Sequence, residues 1–307
     1  MTMLDVRHTT IYRYQRPVRL GEHRLMLRPR DSHDLRIVET NLTFSPAASV
    51  RWQHDVFGNS VAIASFADPT TELRIESRLR LETFALQRPA FQITPEAVSY
   101  PFVYSADDRI DLGRLLERQY SDPADRVGSW ARGFVRGNPT DTRALLADLN
   151  SGVGRWISYQ SRETEGTQTP VETLNRGVGT CRDFAVLFIE AARCLGFGAR
   201  VVSGYLYSPL GTATGAGSTH AWADIYVPGS GWVAYDPTNG TIDSGDLIRV
   251  AVTRDISQSI PVAGSFVGAA DSYLGMSVDV TVTPDRGGSV NATSAAAPAT
   301  AAKAARG

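Results

Sequence analysis

No apolar run in this chain approaches the ~20 residues that span a bilayer. The first residues, Met1 to Arg7, contain Asp5 and no apolar signal core, so the expectation is a chain without a secretory leader. Cysteine is scarce: Cys181 and Cys194 are the only two in 307 residues. Both fall on one predicted helix, where a ~1.5 Å rise per residue puts them roughly 20 Å apart, beyond disulfide reach. An intrachain disulfide is therefore excluded, and a reducing, cytoplasmic setting is the simplest expectation. A surplus of one charge is missing too. Lys and Arg number 31 against 32 Asp and Glu, for a net charge of −1, which argues against a nucleic-acid or anionic-membrane partner. The one locally basic stretch holds Arg13, Arg16, Arg19, Arg24, Arg28 and Arg30. Its arginines are interspersed with apolar residues, as on the solvated face of strands rather than along a phosphate-binding stripe.

What is present is ordinary globular material, 42% hydrophobic and 21% charged, enough for about two domains. Residues 1–100 read as short strands. Val6 to Tyr14, Leu35 to Phe44, Val50 to Trp52, Ser60 to Phe66 and Glu72 to Phe84 are rich in β-formers, with turn signals at Asp55–Ser60 and Asp68–Thr70. That spacing predicts an antiparallel sandwich-like domain. From Ser105 the period changes to helical. Asp122 to Val127 looks like a helix start, and Thr140 precedes a run with Leu145, Leu146 and Leu149. Residues 101–284 are read as one core, closing on strands at Ile248–Thr253 and Ser277–Thr283. From 285 to 307 the chain is Gly, Ser, Ala and Thr with almost no large apolar residue, and is expected to be disordered.

Chemistry concentrates between residues 177 and 239. Gly177-Val178-Gly179-Thr180-Cys181-Arg182-Asp183-Phe184 is a loop that opens a helix, with Thr180 and Asp183 as a T-x-x-D capping box. Phe184, Leu187, Phe188, Ala191 and Leu195 continue at helical spacing to Gly196. Cys181 thus sits in the first turn, where unpaired N–H groups and the positive dipole end favour a thiolate. A lone cysteine at a helix start is also a common structural residue, and Cys194, at the far end, is read that way. Next come Ser218-Thr219-His220-Ala221-Trp222-Ala223-Asp224-Ile225-Tyr226, a turn at Pro228–Gly231, and Trp232-Val233-Ala234-Tyr235-Asp236. If Tyr226 pairs with Trp232, Asp236 lies on the His220 face and diagonal to it. A slip of one residue reverses this. Asp224 shares that face, but four strand residues carry it ~13 Å from His220. A thiol, an imidazole and a carboxylate match an activated nucleophile with Cys181 attacking, His220 as base and Asp236 orienting the ring. A zinc site is the lesser alternative, since two distant cysteines make a poor framework. No metal and no cofactor is expected.

These motifs carry a resemblance. Gly179 to Ala185, Arg200-Val201-Val202-Ser203-Gly204-Tyr205-Leu206, Thr219 to Trp222 and Gly231 to Thr238 resemble the bacterial transglutaminase-like proteins. His8 to Tyr14, Leu27-Arg28-Pro29-Arg30 and Asp55 to Asn59 are similar to the β-rich domain preceding the core in that group. The resemblance spans residues 4–285 or so. It implies an α+β fold in which an N-terminal antiparallel β-sandwich-like domain precedes a papain-like transglutaminase core, and it makes Cys181, His220 and Asp236 a triad. It also implies thioester chemistry on a peptide or glutamine amide of a peptide or protein substrate, with water (peptidase or amidase) or an amine (transglutaminase) as acceptor. A catalytically silent scaffold of the same fold is a third reading. Val186 departs from the pattern, standing where many relatives carry histidine. A first oxyanion donor would be the Cys181 N–H and a second would come from the Tyr159–Gln160 region, although an aromatic in Trp156-Ile157-Ser158-Tyr159 is more often core.

Overall fold

The computed structural model describes residues 1–285 apart from 85–90, 163–165, 209–210, 212, 216 and 270. Of the tail expected over 285–307, residues 286–307 lie outside the described residues. Asp285, its first residue, is ordered: its N–H reaches Met3 O and its carboxylate pairs with Arg80. The chain opens with β1 (Thr2–Leu20), β2 (His23–Arg28), β3 (Leu35–Ser45), β4 (Ala48–His54), β5 (Ser60–Phe66) and β6 (Thr70–Thr83). Helices follow: α1 (Ala106–Leu112), α2 (Arg126–Arg132), α3 (Thr142–Trp156), α4 (Pro170–Arg176) and α5 (Cys181–Cys194). Then come β7 (Ala199–Leu206), β8 (His220–Val227), β9 (Gly231–Asp236), β10 (Thr241–Ile242), β11 (Leu247–Thr253), β12 (Val262–Ala263), β13 (Phe266–Val267) and β14 (Tyr273–Pro284).

Two antiparallel sheets form the N-terminal unit. One orders β3-β6-β1-β14, with β13 on the end of β1, and the other orders β4-β5-β2-β12. Tyr14, Val18, Leu25, Leu27, Ala62, Ala64, Leu73 and Ile75 fill the space between them. Sheet faces that alternate apolar with polar residues can bury one side each, which makes a sandwich. The arginines of the basic stretch behave as solvated-face residues: Arg13, Arg16, Arg19 and Arg30 are exposed and Arg24 and Arg28 half-buried.

The last strands depart from the sequence-based division. β12, β13 and β14, grouped there with residues 101–284, pair with β2 and β1 of the N-terminal sheets. Local β-propensity reports that a strand forms, whereas the sheet it joins is set by long-range packing. The chain therefore returns to its beginning and clamps the two units together.

The third sheet orders β10-β9-β8-β7-β11, all antiparallel. One face packs α5 through Ala221, Ala223, Ile225 and Val227. The other packs the N-terminal unit, through Tyr205, Ile248 and Val250 against Leu4, Val6, Leu79 and Leu81. Covered on both sides, β8 is buried at every residue except Tyr226. Helix α5 shows the predicted Phe184, Leu187, Phe188, Ala191 stripe, yet its opposite side is buried as well. α2, α3 and α4 cover that side, so even Glu190 and Arg193 are interior. They pair at 2.8 Å, with Arg193 also donating to the Leu115, Ala199 and Arg254 carbonyls. A buried charge survives only when paired and hydrogen-bonded in this way.

One contact ties the two family-like regions together. His8 of β1 is buried, with Nδ1 3.1 Å from Tyr205 Oη and Nε2 3.1 Å from Thr10 Oγ1. Burial pulls the His8 pKa down to about 4. The unfolded chain, near 6.5, binds a proton that the folded chain refuses. Stability should thus be unaffected above pH ~6.5 and fall as pH drops from there towards 4, by about 3 kcal/mol for this group. Urea unfolding at pH 7 and pH 4.5 checks it: His8→Gln should flatten the acid loss, and an unchanged slope would remove His8 as its source.

Candidate active site

The loop before α5 is shaped by short-range geometry. Gly177 ends α4 in the left-handed region at φ 64°, and Val178–Gly179 then pairs in parallel with Ser158–Tyr159. A Cβ on Gly179 would lie 2.9 Å from Asp183 Cβ, so only glycine fits this approach. Thr180 caps α5, and both its N–H (2.7 Å) and its hydroxyl (3.0 Å) donate to Asp183 Oδ2.

Asp183 does more than cap. Fully buried, it also accepts from Gln168 N–H at 2.7 Å, Gln168 Nε2 at 3.1 Å, and both Arg162 Nη atoms at 3.0 and 3.2 Å. Burial pushes its carboxyl up, but these donors outweigh it and the pKa is lowered. One carboxylate thus fastens the chain on both sides of residues 163–165 to the turn that presents Cys181.

Cys181 is the first residue of α5 and is buried. His220 opens β8 and Asp236 closes β9, so the sheet delivers both to the N-terminal end of the helix. Tyr226 lies opposite Trp232, the register on which the sequence argument depended. His220 Nε2 and Asp236 Oδ2 are 2.8 Å apart, both side chains without solvent exposure. His220 lies near enough to Cys181 for each group to shift the other's pKa. Burial alone would push the Cys181 pKa up; the neighbouring His220, the Ala221 N–H and the Arg182 charge overcome it, and the pKa is lowered. Burial likewise pulls His220 down, yet Asp236 and Cys181 raise it to about 10. The Asp236 carboxyl is pushed up by burial and brought lower by His220, Asn239 and the Thr238 N–H. Each of the three shifts is towards the charged form of its group: thiolate, imidazolium and carboxylate.

With this geometry in view, the comparisons with known proteins are decisive for the family. Residues 128–237 match the transglutaminase-like superfamily, and residues 4–82 match the bacterial transglutaminase-like N-terminal region. The chain belongs to the transglutaminase-like superfamily. It is 26% identical over 288 residues to the uncharacterized protein ML0607 of Mycobacterium leprae, covering 92% of this chain and 99% of that one. A 72-residue stretch is 32% identical to the uncharacterized protein YebA of Bacillus subtilis, 20% of this chain and 10% of that protein. The crystal structure of a candidate cysteine protease from Cytophaga hutchinsonii superposes with a TM-score of 0.71 at 17% identity, covering 94% of this chain and 92% of that one. It shares the fold.

Within this family frame the remaining residues sort by contact. Asp224, the rival carboxylate, is held by Arg200 at 2.9 and 3.1 Å on the side of the sheet away from α5. Val186, where an imidazole would stand in many relatives, is buried in α5. Gln160 cannot supply its backbone N–H to an oxyanion, because that group donates to Gly179 O at 2.8 Å. Tyr159 stays beside the thiol, its hydroxyl pKa raised by burial and by the Cys181 charge. Trp156 and Tyr159 are 60% and 39% exposed, so the core reading of that segment fails where it matters.

Asn239 went unnoticed in the sequence. Its Nδ2 donates to Asp236 Oδ2 at 2.8 Å, and its Oδ1 takes the Thr214 N–H at 2.9 Å. The signal was there in Asp236-Pro237-Thr238-Asn239-Gly240, a run of turn residues in which Asp and Asn side chains fold back on the chain.

The two cysteines should separate sharply in reactivity. Burial pushes Cys194 up to about 11, while Cys181 is lowered. At pH 7 a thiol near 11 holds roughly one part in ten thousand as thiolate. Iodoacetamide should therefore label Cys181 at least ~100-fold faster than Cys194 in the native protein, as read by peptide mass mapping. Equal rates would rule out Cys181 as an activated nucleophile.

Proposed function

We propose that this protein is a cysteine-dependent hydrolase of peptide or glutamine amides, with Cys181 as nucleophile, His220 as acid and base, and Asp236 as the group that orients the imidazole. The observation that carries the reading is a buried thiol at a helix N-terminus beside an imidazole that is itself held 2.8 Å from a buried carboxylate. The thiolate attacks the carbonyl carbon and the C=O π electrons move onto oxygen. As the first helical residue, Cys181 has an N–H with no intrahelical acceptor, which can donate to that oxyanion. Collapse breaks the C–N bond, and the His220 proton leaves with the amine. Water then loses a proton to His220 and attacks the thioester, which releases the acid and restores the thiolate. A reducing compartment such as the cytoplasm is part of the proposal, because a thiolate must escape oxidation to turn over.

Transfer to an amine shares every step up to the thioester and is the second reading, favoured by the family itself. A silent scaffold is disfavoured because nothing in that role maintains a lowered thiol against the cost of its burial. The test supplies glutamine-containing peptides and excess primary amine and follows products by mass. Free acid or backbone cleavage should dominate. Amine adducts with little acid would give the transferase, and no product with an intact, alkylatable Cys181 would give the scaffold.

A further inference from the structure

A cavity of about 500 Å³ lies away from Cys181. It opens on the other side of the catalytic sheet, between that sheet and the N-terminal unit, and neither Cys181, His220 nor Asp236 lines it. Its size is in the ~300–1,000 Å³ range of small-ligand sites, which favour such boundaries between units. Trp222 and Phe57 supply aromatic walls, and charge comes from Arg30, Arg200 and Arg249 and from four aspartates, Asp31 and Asp246 among them.

Four of these charges, on Arg30, Arg249, Asp31 and Asp246, lack a close ion pair among the described residues. Among the described residues Arg30 has no ion-pair partner, and Arg249 reaches only Asp224, at 3.8 Å. Asp31 and Asp246 meet only neutral donors, the Ile37 N–H and the Ser244 hydroxyl with the turn that it closes. Trp222 Nε1 and Arg249 Nε are buried donors with no hydrogen-bond partner. A native fold seldom leaves buried donors unmet unless something else meets them. An anion alone would face the carboxylates, and a cation alone would face the guanidiniums. A molecule bearing both signs around an apolar body satisfies both sets.

We infer that this cavity is a binding site for a zwitterionic small molecule, a free amino acid or short unblocked peptide, whose carboxylate pairs with Arg30 and Arg249, whose ammonium pairs with Asp31 and Asp246, and whose side chain rests on Trp222. The site is separate from the proposed chemistry yet one ring away from it, since Trp222 also stacks on His220 with centroids 6.1 Å apart.

The test does not depend on turnover. The full chain is first alkylated at Cys181 with iodoacetamide, which blocks the active site, and is then titrated calorimetrically with the dipeptide Ala-Phe. N-acetyl-Ala-Phe and Ala-Phe amide, each lacking one charge, serve as controls. Ala-Phe should bind, and each blocked form should bind at least ten-fold more weakly. Arg249→Gln and Arg30→Gln should each weaken Ala-Phe at least ten-fold while leaving the Cys181 alkylation rate unchanged. Arg30 is exposed, so its replacement does not threaten folding. No binding to the alkylated protein, binding only before alkylation, equal affinity for the blocked forms, or indifference to both substitutions would each overturn the site.

Discussion

Replacing His220 with alanine should cut amide turnover by about 10²–10⁴-fold, the range for loss of a positioned acid and base. It should also change the pH dependence of Cys181 alkylation. In the intact protein His220, the Ala221 N–H and the Arg182 charge overcome the cost of burying a thiolate, so alkylation should reach its plateau at a lower pH than it does for an ordinary thiol. Without the imidazole, burial becomes the dominant influence and pushes the thiol upward. Alkylation of the variant should then climb steadily with pH through the alkaline range. A variant with the parental alkylation profile would show that the helix end alone activates the thiol, and the proposed base would be lost. Stability offers a second sign. The His220 pKa is raised to about 10 in the folded protein, so its contribution is complete below the ordinary value near 6.5 and disappears as pH rises towards 10. The lowered Asp236 carboxyl works in the other direction, losing its contribution on acidification. His220→Ala should remove the alkaline decline.

Much of this site was legible because its cues are local. A glycine-flanked Thr-Cys-x-Asp opening a helix fixes where the thiol sits. A five-residue connection between Tyr226 and Trp232 fixes which face Asp236 shares. The contacts that hold these groups in place come from farther along the chain. Asp183 read as a helix cap, but its partners Arg162 and Gln168 approach from a segment whose path no periodicity reports. The both-sided burial of β8 and the return of β14 to β1 depend on the packing of whole sheets. Nothing in Tyr273 to Pro284 names β1 as the neighbour. The cavity behind Trp222 is of the same kind: Arg30 and Arg249 are more than two hundred residues apart in the chain, and only the assembled interface makes them face one space.

Asp236→Asn and Asp224→Asn should fail in opposite ways. Asp224 stands opposite Arg200 in the β7–β8 register and is fully buried, while the Arg200 guanidinium keeps 16% exposure and lies 4.0 Å above the Trp232 ring. Removing one charge from a buried pair costs ~3–5 kcal/mol, and the partial exposure of Arg200 reduces this to about 2–4 kcal/mol here. Asp224→Asn should therefore lower the urea midpoint while the folded fraction retains near-parental turnover. Asp236→Asn acts on the chemistry. The amide can still accept the Thr238 N–H, but it no longer offers His220 a charge. Loss of the carboxylate in Ser-His-Asp enzymes costs ~10⁴-fold. The effect here should be smaller, about 10²–10³-fold, because the Cys181 thiolate itself already helps to hold the imidazolium. The discriminating measurement is turnover per folded molecule set beside urea unfolding for both variants. If Asp224→Asn depresses turnover more than Asp236→Asn after correction for the folded fraction, the orienting carboxylate is on the other strand. The 2.8 Å contact between His220 and Asp236 would then be structural.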